Sequence, residues 1–278
     1  MRKLLKFLLF VGIIVLVAGG VCIGIAFATN GFNNVEVTEE TKEIEEDFTS
    51  MYINLVESDI EFYESTDGKT KLVYNDTEKF EQEIKVEDGA LSIKEKNSSK
   101  WYDHIFNWNT KTLKYKLYLT TNTFEGLKIV NTTGDVKIDT YDFDRVSIET
   151  STGDINLSKI NVTNDLEIEI TTGFCKLSNI DALNLNVDIT TGDIELYNVM
   201  VTNEININST TGDILFDRID ANTINIDTTT GDVEGSILTG KTFYVSTTTG
   251  DVDYPNTTGG KCTINTTTGD VDVLVIEK

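Results

Sequence analysis

One histidine stands in this chain of 278 residues, beside one proline and three cysteines. A Ser-His-Asp or Cys-His catalytic site would have to be built around His104 alone, and nothing near it reads as a nucleophile motif. Histidine-based metal centres fail on the same count. Positive charge is also scarce: 23 Lys and Arg face 46 Asp and Glu, giving a formal net charge of −23. Such a chain repels DNA, RNA and anionic headgroups, so nucleic acid is excluded and any charged partner is cationic: a metal ion, a basic peptide or a basic protein patch.

Only one long apolar run is present. "MRKLLKFLLFVGIIVLVAGGVCIGIAFA" places Arg2, Lys3 and Lys6 ahead of an unbroken apolar stretch from Phe7 to Ala28. As a helix it would extend ~33 Å, enough to cross a hydrocarbon core of ~30 Å. The basic flank predicts a cytoplasmic tail over 1–6, a transmembrane anchor over 7–28 and an acidic extracytoplasmic linker over 29–47. Ala26-Phe27-Ala28 resembles a signal-peptidase site, but the run is longer than the usual ~7–15-residue signal core, which favours an uncleaved anchor. Bulky Val21 before Cys22 argues against lipid attachment there. The expected localisation is the cell membrane, single-pass, with the C-terminal domain extracellular. No sorting motif at the other end offers a second tether.

The remainder is dominated by one phrase. Thr-Thr-Gly-Asp and its variants recur with glycines at Gly134, Gly153, Gly173, Gly192, Gly212, Gly231, Gly250 and Gly269, at gaps of 19 or 20 residues. Such a period marks a solenoid. Aligned on those glycines, aliphatic residues fill the columns seven and five before (Leu166 and Ile168, for example) and two after (Ile155). The residues between are mostly polar. Alternation at period two means strands with one buried face. One copy cannot bury that face alone, whereas stacked copies build a continuous core. The fold expected is an all-β parallel β-solenoid of eight coils over 126–278, with an irregular β cap over 48–125. The glycine permits backbone angles that a Cβ forbids at the corner. Polar turns such as "DAN" and "TNE" close each coil.

Several chemistries are weighed against this architecture. Stacked aspartates ~4.8 Å apart repel by about 0.9 kcal/mol per pair even at water's dielectric. Turn hydrogen bonds or Ca²⁺ along Asp193, Asp213, Asp232, Asp251 and Asp270 would offset that. The nonapeptide of calcium-binding β-rolls is missing, so self-capped carboxylates are favoured and no cofactor is expected. Carboxylates ~5 Å apart suit a retaining glycosidase, but a catalytic pair is unique and sits in a cleft. Here the spacing recurs and no long insertion builds a wall. An ice-binding grid is disfavoured because adjacent threonines, as in Thr229-Thr230, should point opposite ways along a strand. Cys175 and Cys262 fall in aliphatic columns five coils apart, so both should be buried free thiols. In the cap, "KWYDHIFNW" gathers Trp101, Tyr102, Phe106 and Trp108. These either seal the end of the core or form an exposed contact loop. The last coil should leave an open strand edge, through which copies could associate.

The "TTGDV" and "TTGDI" repeats, the irregular strand region before them and the single amino-terminal span resemble the bacterial putative-adhesin family of β-strand-repeat proteins. That family is a domain of unknown function and includes LiaG-like membrane-anchored proteins of Gram-positive bacteria. Phe174 departs from its Asp at one corner. The resemblance implies a cell-envelope protein and carries over no catalytic residues, and some relatives are linked to envelope stress systems. Two functions are expected from this: a non-catalytic surface binding, adhesin-like or structural protein, or a regulatory ectodomain acting through a membrane partner or a cationic peptide.

Overall fold

The computed structural model describes Gly12 and residues 37–77, 80–97, 113–238, 242–255, 262–268 and 271–274. The anchor stretch 7–28 lies outside these apart from Gly12. Among the described residues no helix is long and apolar enough to cross a membrane.

Eighteen strands join one sheet. In chain order the first seven are β1 (Thr38–Glu43), β2 (Ser50–Glu64), β3 (Lys71–Asp76), β4 (Phe80–Glu87), β5 (Ala90–Asn97), β6 (Leu113–Leu119) and β7 (Thr123–Thr133). The long coil strands follow: β8 (Val136–Thr152), β9 (Ile155–Thr172), β10 (Cys175–Thr191) and β11 (Ile194–Thr211). The last seven are shorter: β12 (Ile214–Ile219), β13 (Thr223–Thr230), β14 (Val233–Ile237), β15 (Thr242–Thr249), β16 (Val252–Pro255), β17 (Cys262–Thr268) and β18 (Val271–Leu274). From β7 onward every pairing between successive coils is parallel and in register, as in Val136↔Ile155, Ile155↔Cys175 and Cys175↔Ile194. The result is a parallel β-solenoid of about seven turns, ~19 residues each, against the eight expected from spacing. The eighth corner glycine, Gly269, lies outside the described residues.

Each coil turns at three places. The first is the glycine corner. Gly134, Gly153, Gly173, Gly192, Gly212, Gly231 and Gly250 hold φ between 135° and 153°. The second, after the first five of these glycines, is a left-handed residue six positions later: Thr140, Lys159, Asn179, Asn198 and Arg218 have φ between 52° and 69°, whereas the coil after Gly231 is one residue shorter there and pairs Ile237 with Ile219. The third is a polar bulge, where pairing shifts between Phe143 and Val146 and between Ala182 and Asn184. Coils of 20 residues carry their extra residue at this bulge: Val162 to Leu166 spans one more position than Phe143 to Val146. That absorbs the alternation of gaps without disturbing the straight stretches on either side.

Seven side chains per coil point inward. In β9 they are Ile155, Leu157, Ile160, Val162, Leu166, Ile168 and Ile170, all at or below 3% exposure. The period-two pattern marks three of these columns. Of the other four, Leu157 and Ile170 continue the same alternation, while Ile160 and Val162 lie beyond the second corner, where the left-handed residue resets the phase. The column next to the glycine is mixed, with buried Asn131, Thr150, Ser209, Thr228 and Thr247 among Ile170 and Ile189. Asn131 uses its place to donate to the carbonyls of Ser58 (2.9 Å) and Gly134 (3.1 Å).

A left-handed conformation costs a non-glycine residue roughly 1–2 kcal/mol, most for a β-branched one and least for Asn. Thr140→Asn is therefore expected to raise the unfolding free energy by about 1 kcal/mol, read as a higher denaturant midpoint.

The stack begins earlier than the repeat. β2 pairs in parallel with β7 and then β8, placing Ser58-Asp59 beneath Gly134-Asp135. Under β2 lies a layer made from two separate strands, β5 beneath its first half and β6 beneath its second. Antiparallel partners close this end: β4 on β5, β3 on β6 and β1 on β3. Lys96 and Lys85 hold the Glu83 carboxyl down to about 2, and Lys71, with Ser65 and the Lys69 amide, does the same for Asp67. Depressed carboxylate pKa values contribute stability that is complete above the unfolded values near 4 and lost as pH falls through about 2. Protection against hydrogen exchange in β3, β4 and β5, taken relative to the intrinsic exchange rate at each pH, should therefore fall between about pH 4.5 and 2, and 1 M salt should shrink the effect because these pairs are exposed.

Candidate functional surface

Two faces carry the chemistry singled out by the sequence. On the corner edge, each aspartate accepts a hydrogen bond from the amide of the coil above rather than from its own turn. Asp59 takes the Asp135 amide at 2.9 Å, Asp135 that of Asp154 at 2.8 Å, and Asp154 that of Phe174 at 2.8 Å. After Phe174 the series resumes, with Asp193 to Asp213 (2.8 Å), Asp213 to Asp232 (2.9 Å) and Asp232 to Asp251 (2.7 Å). One carboxylate oxygen per coil is thus engaged by the backbone, which offsets the repulsion along the column without a cation. Among the described residues no group of three His, Cys, Asp or Glu is placed to hold a metal ion. Asp270 lies outside them.

The second face runs from the bulge to the glycine. Four positions before each glycine it presents Glu149, Glu169, Asp188, Asn208 and Asp227, and two before it Ser151, Thr171, Thr190 and Thr210. A shallow groove of about 340 Å³ follows the two columns across four coils. Asn208 bonds to Asp188 at 2.7 Å, and partial burial pushes the Asp227 carboxyl up. Beside these columns Asn186, Asn206 and Asn225 form an amide ladder, at 3.1 and 2.8 Å. The two threonines of a corner do not point opposite ways: Thr171 and Thr172 are both exposed, because the chain turns between them and the glycine. The premise used against a threonine grid therefore fails, although the acidic column still interrupts such a face.

The aromatic cluster Trp101, Tyr102, Phe106 and Trp108, with His104, lies outside the described residues. The segment holding it joins β5 to β6, the strands beneath the two halves of β2. Where that segment leaves, Glu95 is buried at 4% exposure. Its carboxyl accepts from the amides of Val56 (2.8 Å) and Glu57 (3.1 Å), from the Ser58 hydroxyl (2.8 Å) and from Tyr115 (3.5 Å). Burial, and then the nearby Glu95 charge, push the Tyr115 hydroxyl up. Sequence reading missed Glu95, because its strand reads as an ordinary alternating stretch. A second groove, of about 460 Å³, lies in the cap between Glu43–Phe48, Gly68–Thr70 and Leu119–Thr121. Its rim is acidic.

Cys175 is free and fully buried, and burial pushes its thiol up to about 12. Alkylating reagent should leave it unmodified in the native protein and react within minutes after unfolding; modification in the native state would contradict its place in the core. Cys262 aligns with Phe243 in the backbone register.

The geometry is matched by known proteins at the level of fold. A "putative adhesin" from Bacteroides fragilis superposes with a TM-score of 0.51 at 16% identity, over 85% of this chain and 97% of that one. A "putative adhesin" from Parabacteroides distasonis gives 0.53 at 14% identity over 87% and 98%. A "putative lipid binding protein" from the same species gives 0.51 at 15% identity over 85% and 97%. At such identities the likeness is one of architecture. No curated protein matches. The profile described as Toastrack DUF4097 matches residues 48–215 and 199–277, together most of the chain, and the chain therefore belongs to the Toastrack DUF4097 family.

Proposed function

We propose that this protein is a membrane-anchored, extracytoplasmic β-solenoid that acts without catalysis as an adhesin-like surface-binding protein. The supporting observation is repetition. Along the described solenoid the outward columns four and two residues before the glycine recur over successive coils, so Glu149, Glu169 and Asp188 offer a periodic acidic strip beside a periodic hydroxyl strip. A catalytic site depends on one constellation held apart from water, whereas a repeated strip suits a long, repeating or extended ligand. The net charge of −23 favours a cationic one. The adhesin names of the structural relatives agree with this reading, and the apolar stretch 7–28 supplies the anchor.

A second reading, a regulatory ectodomain acting through a membrane partner or cationic peptide, is favoured by the cap groove. Its acidic rim, Glu43, Glu45, Glu46 and Asp47, is the last part of the linker that leads from the anchor. The full chain displayed on cells, wild type against Glu149→Gln/Glu169→Gln/Asp188→Asn, separates the two. Adherence to polylysine-coated surfaces should fall about tenfold in the variant with melting unchanged. Undiminished adherence removes the acidic face as the contact, and recovery of a crosslinked sensor kinase by the wild type transfers the function to the second reading.

A further inference from the structure

The corner ladder has a direction, and it has one break. Every carboxylate in it serves the coil that follows, never the coil that supplies it. The first donor of a carboxylate is Asp59, in the cap layer, itself 8% exposed. Below it Glu95 satisfies the amides of the preceding bend. The series therefore starts from a finished end and runs outward. At Phe174 it stops, because a phenyl ring offers the amide of Asp193 nothing. Backbone bonds still cross that joint, from Gly173 to Thr191 and from Cys175 to Asp193, both 3.0 Å.

We propose that the cap templates the solenoid coil by coil, and that Phe174 divides it into two cooperative blocks, an inner one from the cap through Ala182 and an outer one from Asn184 onward, with the bulge of β10 at the boundary. In a stack where each coil contacts only its neighbours, stability is a sum of coil terms and interface terms, so one weakened interface becomes a place where the array opens. Charge-assisted hydrogen bonds are the strongest single polar contact available to such an interface. Losing a carboxylate costs the coil that owns it only an exposed charge. It costs the coil above the charged acceptor of its corner amide. The outer block should therefore open as a unit while the inner block stays closed, giving the protein a distal section that yields before its base.

Hydrogen exchange on the full chain, followed by mass spectrometry, tests both parts. In the wild type, β11, β13 and β15 should exchange together and faster than β8 and β9. Phe174→Asp should slow exchange in the outer block about tenfold and bring the two blocks together. Asp213→Ala should speed exchange by a similar factor in β13 and β15, with β8 and β9 unchanged, whereas Asp213→Asn, which keeps an accepting oxygen without its charge, should fall between the Ala variant and wild type. Uniform exchange along the wild-type solenoid, no effect of Phe174→Asp, or an Asp213→Ala effect spread equally to β8 and β9 would each overturn the proposal. So would an Asn variant as damaging as the Ala variant.

Discussion

Gly192→Ala is expected to cost about 3–5 kcal/mol of unfolding free energy, since its Cβ would make the tightest contact of any described glycine. Two separate effects add. The residue holds φ near +135°, where an L side chain is strained by about 1–3 kcal/mol. The added Cβ would also stand 1.8 Å from the carbonyl oxygen of Gly173 and 2.8 Å from its carbonyl carbon. That neighbour is backbone, bonded above and below, so it cannot swing aside as a side chain would. Overpacking of this kind costs about another 1–3 kcal/mol. Gly89→Ala is the internal control. It has φ +75 and nothing within 4 Å of the new Cβ, so it should lose only the conformational part, about 1 kcal/mol. Equilibrium denaturation of both variants checks the difference. Equal losses would mean that the corner glycines serve conformation alone and do not rest on one another.

Glu95→Ala should cost about 3–5 kcal/mol, from the other end of the molecule. The deletion removes the carboxyl that holds the bend of β2, taking its acceptor from the part-buried Val56 and Glu57 amides and from the buried Ser58 hydroxyl, at about 1–3 kcal/mol for each bond to a charged group. Glu95→Gln keeps the volume and one acceptor oxygen, so its loss should be about half. Because β2 is the layer on which the first full coil rests, the damage should reach β7 and β8 as well as the cap. A change confined to β4 and β5 would show that the cap folds independently of the stack.

The repeat and its strand period were legible because the glycine corner is a steric requirement: φ and close approach together admit one residue type, so the sequence shows it at every coil. The second corner was not legible. A single left-handed residue tolerates Asn179 and Asn198 but also Thr140, Lys159 and Arg218, and no common letter survives. The signal that would have found it is the offset, six residues after each of the first five corner glycines, in a stretch where apolar alternation slips from Leu157 to Ile160. The aspartate column showed that a carboxylate was wanted at the corner. It did not show for which coil, since a bond between coils leaves the same letter as a bond within one. Ser58 was hidden for a related reason. It takes the place of glycine in the layer beneath Gly134, and "ESDI" shares only its aspartate and branched aliphatic residue with "TGDV". Glu95 was invisible because its role arises from a strand layer assembled out of two distant segments.

Distances between spin labels in one outward column test the stacking itself most directly. Ser151, Thr190, Thr210 and Thr248 occupy equivalent places, two residues before successive or near-successive glycines. With Cys22 and Cys262 replaced by serine and Cys175 left in the core, labels at Ser151 and Thr210 should lie about 14 Å apart along the axis. Those at Ser151 and Thr248 should lie about 24 Å apart, growing by ~4.8 Å per coil. Separations that do not grow in proportion to the number of coils between the labels would contradict the single line of corners on which the fold, the acidic strip and the direction of the ladder all depend.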